Sequence, residues 1–328
     1  MPLMKVLLDT DPGIDDSLAI MLALRSPELE VVGITTVSGN VPADQGARNA
    51  ARILEYLGRE EIPLYKGEDK PRVVELVTAQ DTHGQDGLGE TYLPEPKLGY
   101  KEGGVDFILS SLYEYPGDLT IIALGPLTNI AAALERDKEA FRNLKRLIVM
   151  GGAAKVHGNC SPVAEYNFWA DPHAADYVFQ NLSDIVMVGL DVTRQIVLTP
   201  NYRELLRQFD TPIARLVNKI TRFYVDFHWK QERTLGCVIN DPLAVAVAFA
   251  PDLVQTRPYY VQVETEGRSR GQSLVDFAGF YRRPPNAHVC LTVDAQRFMH
   301  LFLKRLCPEF AEDIDRYFAE PATISVPV

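Results

Sequence analysis

Residues Asp9–Asp16 read DTDPGIDD, four carboxylates within eight residues, directly after the apolar run Val6, Leu7 and Leu8. Like charges this close raise one another's cost of ionisation, so a fold that gathers them supplies a cation or a set of dipoles to neutralise them. Pro12 and Gly13 force a tight turn between Asp11 and the pair Asp15 and Asp16, which folds the carboxylates back toward one point. The stretch therefore reads as a hard-metal site between a strand, Lys5–Asp9, and a helix, Asp15–Leu24, whose acidic first turn suits the helix dipole. A solvated acidic turn is the competing reading, and the enforced turn favours the site.

The remaining composition is that of a globular protein. With 328 residues, 46% hydrophobic and 23% charged, the chain can bury a large core without staples. No apolar stretch approaches the roughly 20 residues that cross a bilayer, and the run after Met1 is too short for a secretory signal. The expectation is a cytoplasmic protein with no membrane partner. Cys160, Cys237, Cys290 and Cys307 show no CxxC spacing and are expected to be buried free thiols. A net charge of −11 argues against nucleic acid or an anionic surface, because phosphate binding needs clustered Lys and Arg. A small neutral or cationic ligand fits better.

Short β-branched runs alternate with longer amphipathic segments, the pattern of βαβ units on a mostly parallel sheet. After the first strand and helix come a strand at Leu29–Val37 and a helix at Asp44–Leu57 stopped by Gly58. Further strands are expected at Leu119–Leu124, Arg146–Met150 and Ile185–Leu190, with a helix at Asn129–Leu134. The pairs Asp171-Pro172 and Asp241-Pro242 read as N-cap plus first-turn proline. Pro258–Glu264, Gln272–Phe277 and Ala287–Val293 read as antiparallel strands before a closing helix from Asp294. The predicted fold is an α/β single domain over residues 1–328, an open, mostly parallel Rossmann-like sheet with helices on both faces and a few antiparallel strands near the C-terminus. The segment 67–104 lacks clear periodicity and reads as a functional or partly mobile loop.

In such sheets the ligand sits beyond the carboxyl ends of the strands, where strand order reverses. Those ends deliver Asp9 and Asp11, then Ser38, Gly39 and Asn40, then Leu124 and Gly125, then Met150, Gly151 and Gly152, then Asp191. Each alone has a bland alternative, such as a turn, a cap or relief of crowding. Their shared position carries the argument.

DTDPGIDD together with TTVSGN (35–40), GPLTN (125–129), VMGG (149–152), GNCSPVAEYN (158–167) and NDP (240–242) resembles the nucleoside hydrolase family, in order and over nearly the whole chain. The resemblance implies a calcium-dependent N-ribohydrolase that cleaves a ribonucleoside to ribose and free base in salvage, as a homodimer or homotetramer. It implies Ca²⁺ held by Asp11, by both oxygens of Asp16, by the Leu124 carbonyl and by Asp241. Asp11 would also be the general base on the attacking water. Asp15, Asn40, Glu165 and Asn167 would hold the ribose hydroxyls, and Met150 and Asn159 would line the sugar pocket. The chemistry agrees: calcium takes about 6–8 oxygen ligands, leaving positions for water and a vicinal diol, and a carboxylate-rich pocket stabilises an oxocarbenium-like sugar.

One position departs from the family pattern. Many members carry His before the last metal-binding Asp, where it protonates the leaving base; here Asn240 stands there, and an amide has no proton to transfer near neutral pH. His83 in THGQDGLG and His228 in FYVDFHWKQER are the candidate replacements, or Trp229 or Tyr224 stacks on a purine protonated by solvent. The run Phe223, Tyr224, Phe227 and His228 also reads as a plain core-facing stripe. The expected substrate is a purine nucleoside or a broad range of ribonucleosides. The alternatives are another ribosyl compound with a good leaving group, or a catalytically weak nucleoside binder.

Overall fold

The computed structural model describes residues 3–319. The strands in chain order are β1 (Met4–Thr10), β2 (Leu29–Thr36), β3 (Leu64–Lys66), β4 (Lys101–Glu102), β5 (Leu119–Ala123), β6 (Leu144–Met150) and β7 (Ile185–Val188). They continue with β8 (Val197–Leu198), β9 (Cys237–Val238), β10 (Val254–Tyr259), β11 (Val261–Val263), β12 (Ser273–Val275) and β13 (Ala287–Val293). Nine form one sheet in the order β10-β13-β7-β6-β5-β1-β2-β3-β4. All neighbours in it are parallel except β10 and β13. β1 and β5 are wholly or mostly buried, as continuous apolar runs covered on both faces must be.

The chain runs outward from β1 to β4, then returns to the other side of β1 with β5 and continues to β7. Strand order therefore reverses at β1, and its carboxyl end delivers Asp9, Thr10 and Asp11. Two core layers clasp the sheet. One contains the helix Ile14–Leu24, the helix Asp241–Phe249 and the long helix Pro212–Glu232; the other contains Gly104–Glu114, Thr128–Arg136 and Pro172–Asn181. Ile14–Leu24 is buried along nearly its whole length, so it is a core helix rather than an amphipathic surface one.

Several boundaries differ from the sequence expectation, each for a local reason. The strand expected at Ile185–Leu190 ends at Val188, and Leu190–Thr193 forms a helical turn instead. The strand expected at Pro258–Glu264 is split at Tyr260: β10 pairs with β13 in the main sheet, while β11 leaves to pair with β12. β13, expected to be antiparallel throughout, is antiparallel to β10 and parallel to β7. Asp241 is the first helical residue rather than the N-cap, and no side chain caps that helix. Its carboxylate is thus free for other use. Asp171 does cap, accepting from Ala174 N at 3.0 Å. Among the described residues no helix is long and apolar enough to cross a membrane.

Candidate functional site

A cavity of about 530 Å³ opens above the carboxyl ends of β1, β5 and β6. Its floor is carboxylate and amide: Asp15, Asn40, Glu165, Asn167, Asn240 and Asp241. Every one of these six is buried.

The turn set by Pro12 and Gly13 does what its sequence implies. Asp16 Oδ1 accepts from Thr10 Oγ1 and Asp11 N, and Oδ2 from Gly13 N at 3.0 Å and Asn40 Nδ2 at 2.9 Å. Asp11 Oδ2 accepts from Asn40 N at 2.7 Å, while its Oδ1 is buried without a partner. Carboxylate oxygens of Asp15, Asp16 and Asp241 lie within 4.8 Å of one another. Burial pushes Asp11 and Asp241 well above the ordinary carboxylate range, and neighbouring carboxylates push the same way. Clustered, desolvated carboxylates with one oxygen left unpaired form a hard donor set that a divalent cation would satisfy. The Leu124 carbonyl accepts from Asn167 Nδ2 at 2.7 Å and keeps a second lone pair.

Asp9 is not part of this set. It accepts from Thr35 Oγ1 at 2.6 Å and Asn129 Nδ2 at 2.7 Å, which ties β1 to β2 and to the helix Thr128–Arg136. Asp191 also plays a supporting part. It accepts from Ala154 N at 2.7 Å and Lys155 N at 2.8 Å, holding the loop after β6.

Elsewhere in the cavity, Glu165 accepts from Gly152, Asn167 and Phe168 N–H groups, the last two at the start of the helix Tyr166–Ala170. Burial raises its pKa to about 7 despite those donors. Asn167 Nδ2 bridges the Leu124 and Met150 carbonyls, fixing the ends of β5 and β6 together. Met150 is buried and lines the cavity; Asn159 lies exposed at the rim with Oδ1 accepting from Tyr166 N at 2.9 Å.

The other wall comes from two sources, the short helix Gln80–His83 and the helix Pro212–Glu232. The segment 67–104 is thus partly ordered against the site. His83 is buried, and its Nδ1 accepts from Ile14 N at 3.1 Å. Desolvation lowers its pKa to about 4. His228 is also buried and lines the cavity, with Nδ1 2.9 Å from the Tyr224 carbonyl one turn earlier, so that nitrogen carries the hydrogen. Burial lowers its pKa too. Asn240 donates through N and Nδ2 to Asp15 Oδ2, at 3.3 and 3.0 Å, and its Oδ1 is buried without a partner.

Two expectations about aromatics and thiols fail. Trp229 is 46% exposed and packs against Arg233 outside the cavity, because the helix turns it away from the side that carries Tyr224, Phe227 and His228 to the cavity. Cys160 is exposed at the rim, whereas Cys237, Cys290 and Cys307 are buried. Phe227 and His228 line the cavity together with Tyr224, so three of the four residues of the stripe read as core packing face the site, and Phe223 does not. Sequence reading missed Tyr166, Trp169 and Arg194, which also line it. Tyr166 lies within the GNCSPVAEYN motif and Trp169 two residues after it, and Arg194 follows Asp191 by one helical turn. Arg194 donates to the Gly158 carbonyl at 2.7 Å, fastening the rim loop.

A carboxylate floor at the strand-order switch, roofed by a histidine-bearing helix, suits hydrolysis of a sugar derivative. The inosine-uridine preferring nucleoside hydrolase family model matches residues 6–300. A probable uridine nucleosidase 2 of Arabidopsis thaliana is 37% identical over 92% of this chain and 97% of its own. The pyrimidine-specific ribonucleoside hydrolase RihA of Citrobacter koseri is 38% identical over 92% of this chain and 98% of its own. The solved purine-preferring ribonucleoside hydrolase from Gardnerella vaginalis superposes with a TM-score of 0.88 at 37% identity, covering 94% of this chain and 99% of that one. Fold and site thus define an N-ribosyl hydrolase. The chain belongs to the inosine-uridine preferring nucleoside hydrolase family and hydrolyses ribonucleosides.

Proposed function

We propose that this enzyme is a calcium-dependent ribonucleosidase of broad or purine-leaning base preference, acting as one domain in salvage inside the cytoplasm as a homo-oligomer. The unpaired, buried Asp11 Oδ1, on a carboxylate that Asp16 and Asp15 lie close enough to push upward, beside the cluster of Asp15, Asp16 and Asp241, is the observation that carries the metal reading. Asp11, Asp16, Asp241 and the Leu124 carbonyl would hold the ion. When bound, calcium would orient a vicinal diol and increase the acidity of a nearby water.

The chain's own groups divide the remaining work. Asp11 is the general base that takes the proton from the attacking water. Asp15, Asn40, Glu165 and Asn167 seat the ribose hydroxyls, with Met150 and Asn159 along the sugar. As the N-glycosidic bond lengthens, positive charge grows on the sugar ring and the buried carboxylates stabilise it. Asn240 anchors Asp15 and donates no proton. His228 delivers the proton to the departing base, because its Nδ1 is committed to the Tyr224 carbonyl and its Nε2 is the titrating nitrogen. His83, with Nδ1 accepting from Ile14 and its pKa near 4, presents an Nε2–H as a neutral hydrogen-bond donor.

The relatives' names divide between pyrimidine and purine bases, and a cavity walled by Tyr224, Phe227 and His228 suits either ring. Reducing-sugar release from inosine, adenosine, guanosine, uridine, cytidine and p-nitrophenyl riboside, with calcium and after chelation, tests the reading. Calcium-dependent release from natural nucleosides is expected. Release from p-nitrophenyl riboside alone would instead favour another ribosyl substrate with a good leaving group.

A further inference from the structure

Tyr224 is buried on the helix Pro212–Glu232, yet it makes a polar contact to the first turn of the helix Ile14–Leu24. Its hydroxyl donates to Asp15 Oδ2 at 3.2 Å, across 209 residues of sequence. The same oxygen takes both Asn240 donors, so three donors from two separate elements converge on it. Asp15 Oδ1 is left otherwise. His83 Nδ1 lies 3.9 Å from it, but that nitrogen is already an acceptor for Ile14 N–H, so it gives Oδ1 nothing. A carboxylate pinned through one oxygen by three donors has its other oxygen held in a fixed direction, and Asp15 lines the cavity.

Tyr224 also meets the two histidines. Its ring lies edge-on to His228 at 4.5 Å and tilted against His83 at 5.2 Å, and its carbonyl holds His228 Nδ1. One residue therefore links the wall that faces the base to the carboxylate that faces the sugar. We propose that Tyr224 is a positioning residue that acts through Asp15: its hydroxyl aims Asp15 Oδ1 at one ribose hydroxyl, and so couples the seating of the helix over the base to recognition of the sugar. The proposal rests on the reading of Asp15 as a ribose ligand.

Tyr224→Phe isolates this role, since it removes one oxygen and leaves the ring and the carbonyl in place. It is compared with the parent and with Asp15→Asn on the best-hydrolysed ribonucleoside and on its 2′-deoxy and 3′-deoxy analogues, with thermal midpoints as a folding control. Losing a donor to a charged group lowers kcat/KM on the ribonucleoside roughly tenfold. The loss shrinks to under about twofold on the deoxy analogue that lacks the hydroxyl held by Asp15, since the aimed oxygen then has nothing to meet. Asp15→Asn shows the same substrate selectivity. Equal loss on all three substrates for Tyr224→Phe, with Asp15→Asn still selective, overturns the positioning role and leaves the ribose reading of Asp15 standing. If Asp15→Asn loses equally on all three, the ribose reading itself fails and the proposal falls with it.

Discussion

The two cavity histidines hold their protons differently, and one hydrogen bond decides each case. His83 Nδ1 accepts a backbone N–H, which leaves its neutral ring a donor at Nε2; burial takes its pKa to about 4, so it stays neutral at working pH. His228 donates from Nδ1 to the Tyr224 carbonyl, so proton gain and loss occur at Nε2. Its pKa is lowered by burial, hence the protonated form is the minor one near neutrality and shrinks further as pH rises. Hydrolysis of natural nucleosides should accordingly fall on the alkaline side with a limb that belongs to His228. His228→Asn keeps a donor toward the Tyr224 carbonyl but cannot deliver a proton, and should cost roughly 10²–10⁴-fold in kcat on inosine or uridine. On p-nitrophenyl riboside, whose leaving group needs no acid, the same variant should lose little. A variant that slows both substrates alike, or that retains the alkaline limb, would remove His228 from the proton-transfer role.

At the scale of elements, the ends of β1, β2 and β5 close around Asp11, and glycines at two of them leave room for its carboxylate. A Cβ on Gly39 would lie 2.0 Å from Asp11 Oδ2, and one on Gly125 would lie 2.6 Å from Oδ1. Neither contact is with a flexible chain end that can swing away, because Asp11 is buried and tied to Asn40. Gly39→Ala should leave the sheet formed, as far-ultraviolet circular dichroism would show, while lowering kcat by about 10²-fold or more through displacement of the general base. Full activity in that variant would mean that Asp11 does not need this placement. The reversal at β1 shows only in the strand order, whereas the glycine motifs and the strand ends were legible in the sequence, because strand-end turns and parallel-sheet cores impose local composition. Boundaries that depend on tertiary pairing were not. Nothing local marks Tyr260 as the point where one extended run leaves the main sheet for β12, and Leu190 and Asp191 turn helical because Asp191 is drawn to the Ala154 and Lys155 amides. The same limit hid the part played by Tyr224. Its spacing marked a helix face, but its bond to Asp15 is made between elements 209 residues apart.

For the molecule as a whole, the site places several buried acids against the stability of the fold. Burial raises Asp9 to about 6 and Glu165 to about 7, and pushes Asp11 and Asp241 up as well. An acid whose folded pKa exceeds its unfolded value near 4 binds more protons in the native state, so stability falls as pH rises through that window, here from about 4 to about 7. His83 has the opposite sign. With its pKa lowered to about 4, the unfolded chain takes up the proton first below about 6.5, so its contribution is lost as pH falls. His228, also lowered by burial, has the same sign as His83; the raised acids outnumber the two histidines, and their term should dominate in metal-free protein. After treatment with chelator, the thermal midpoint should therefore drop between about pH 4 and about pH 7. A divalent cation binds the ionised carboxylates of the native state and not the unfolded chain, so added calcium should raise the midpoint, and by more at the alkaline end. Magnesium, which demands tighter octahedral geometry and sheds its water reluctantly, should raise it less. A chelated protein whose midpoint climbs with pH, or one indifferent to calcium at both ends, would mean that the buried carboxylates are neutralised by the protein's own dipoles and not by an ion.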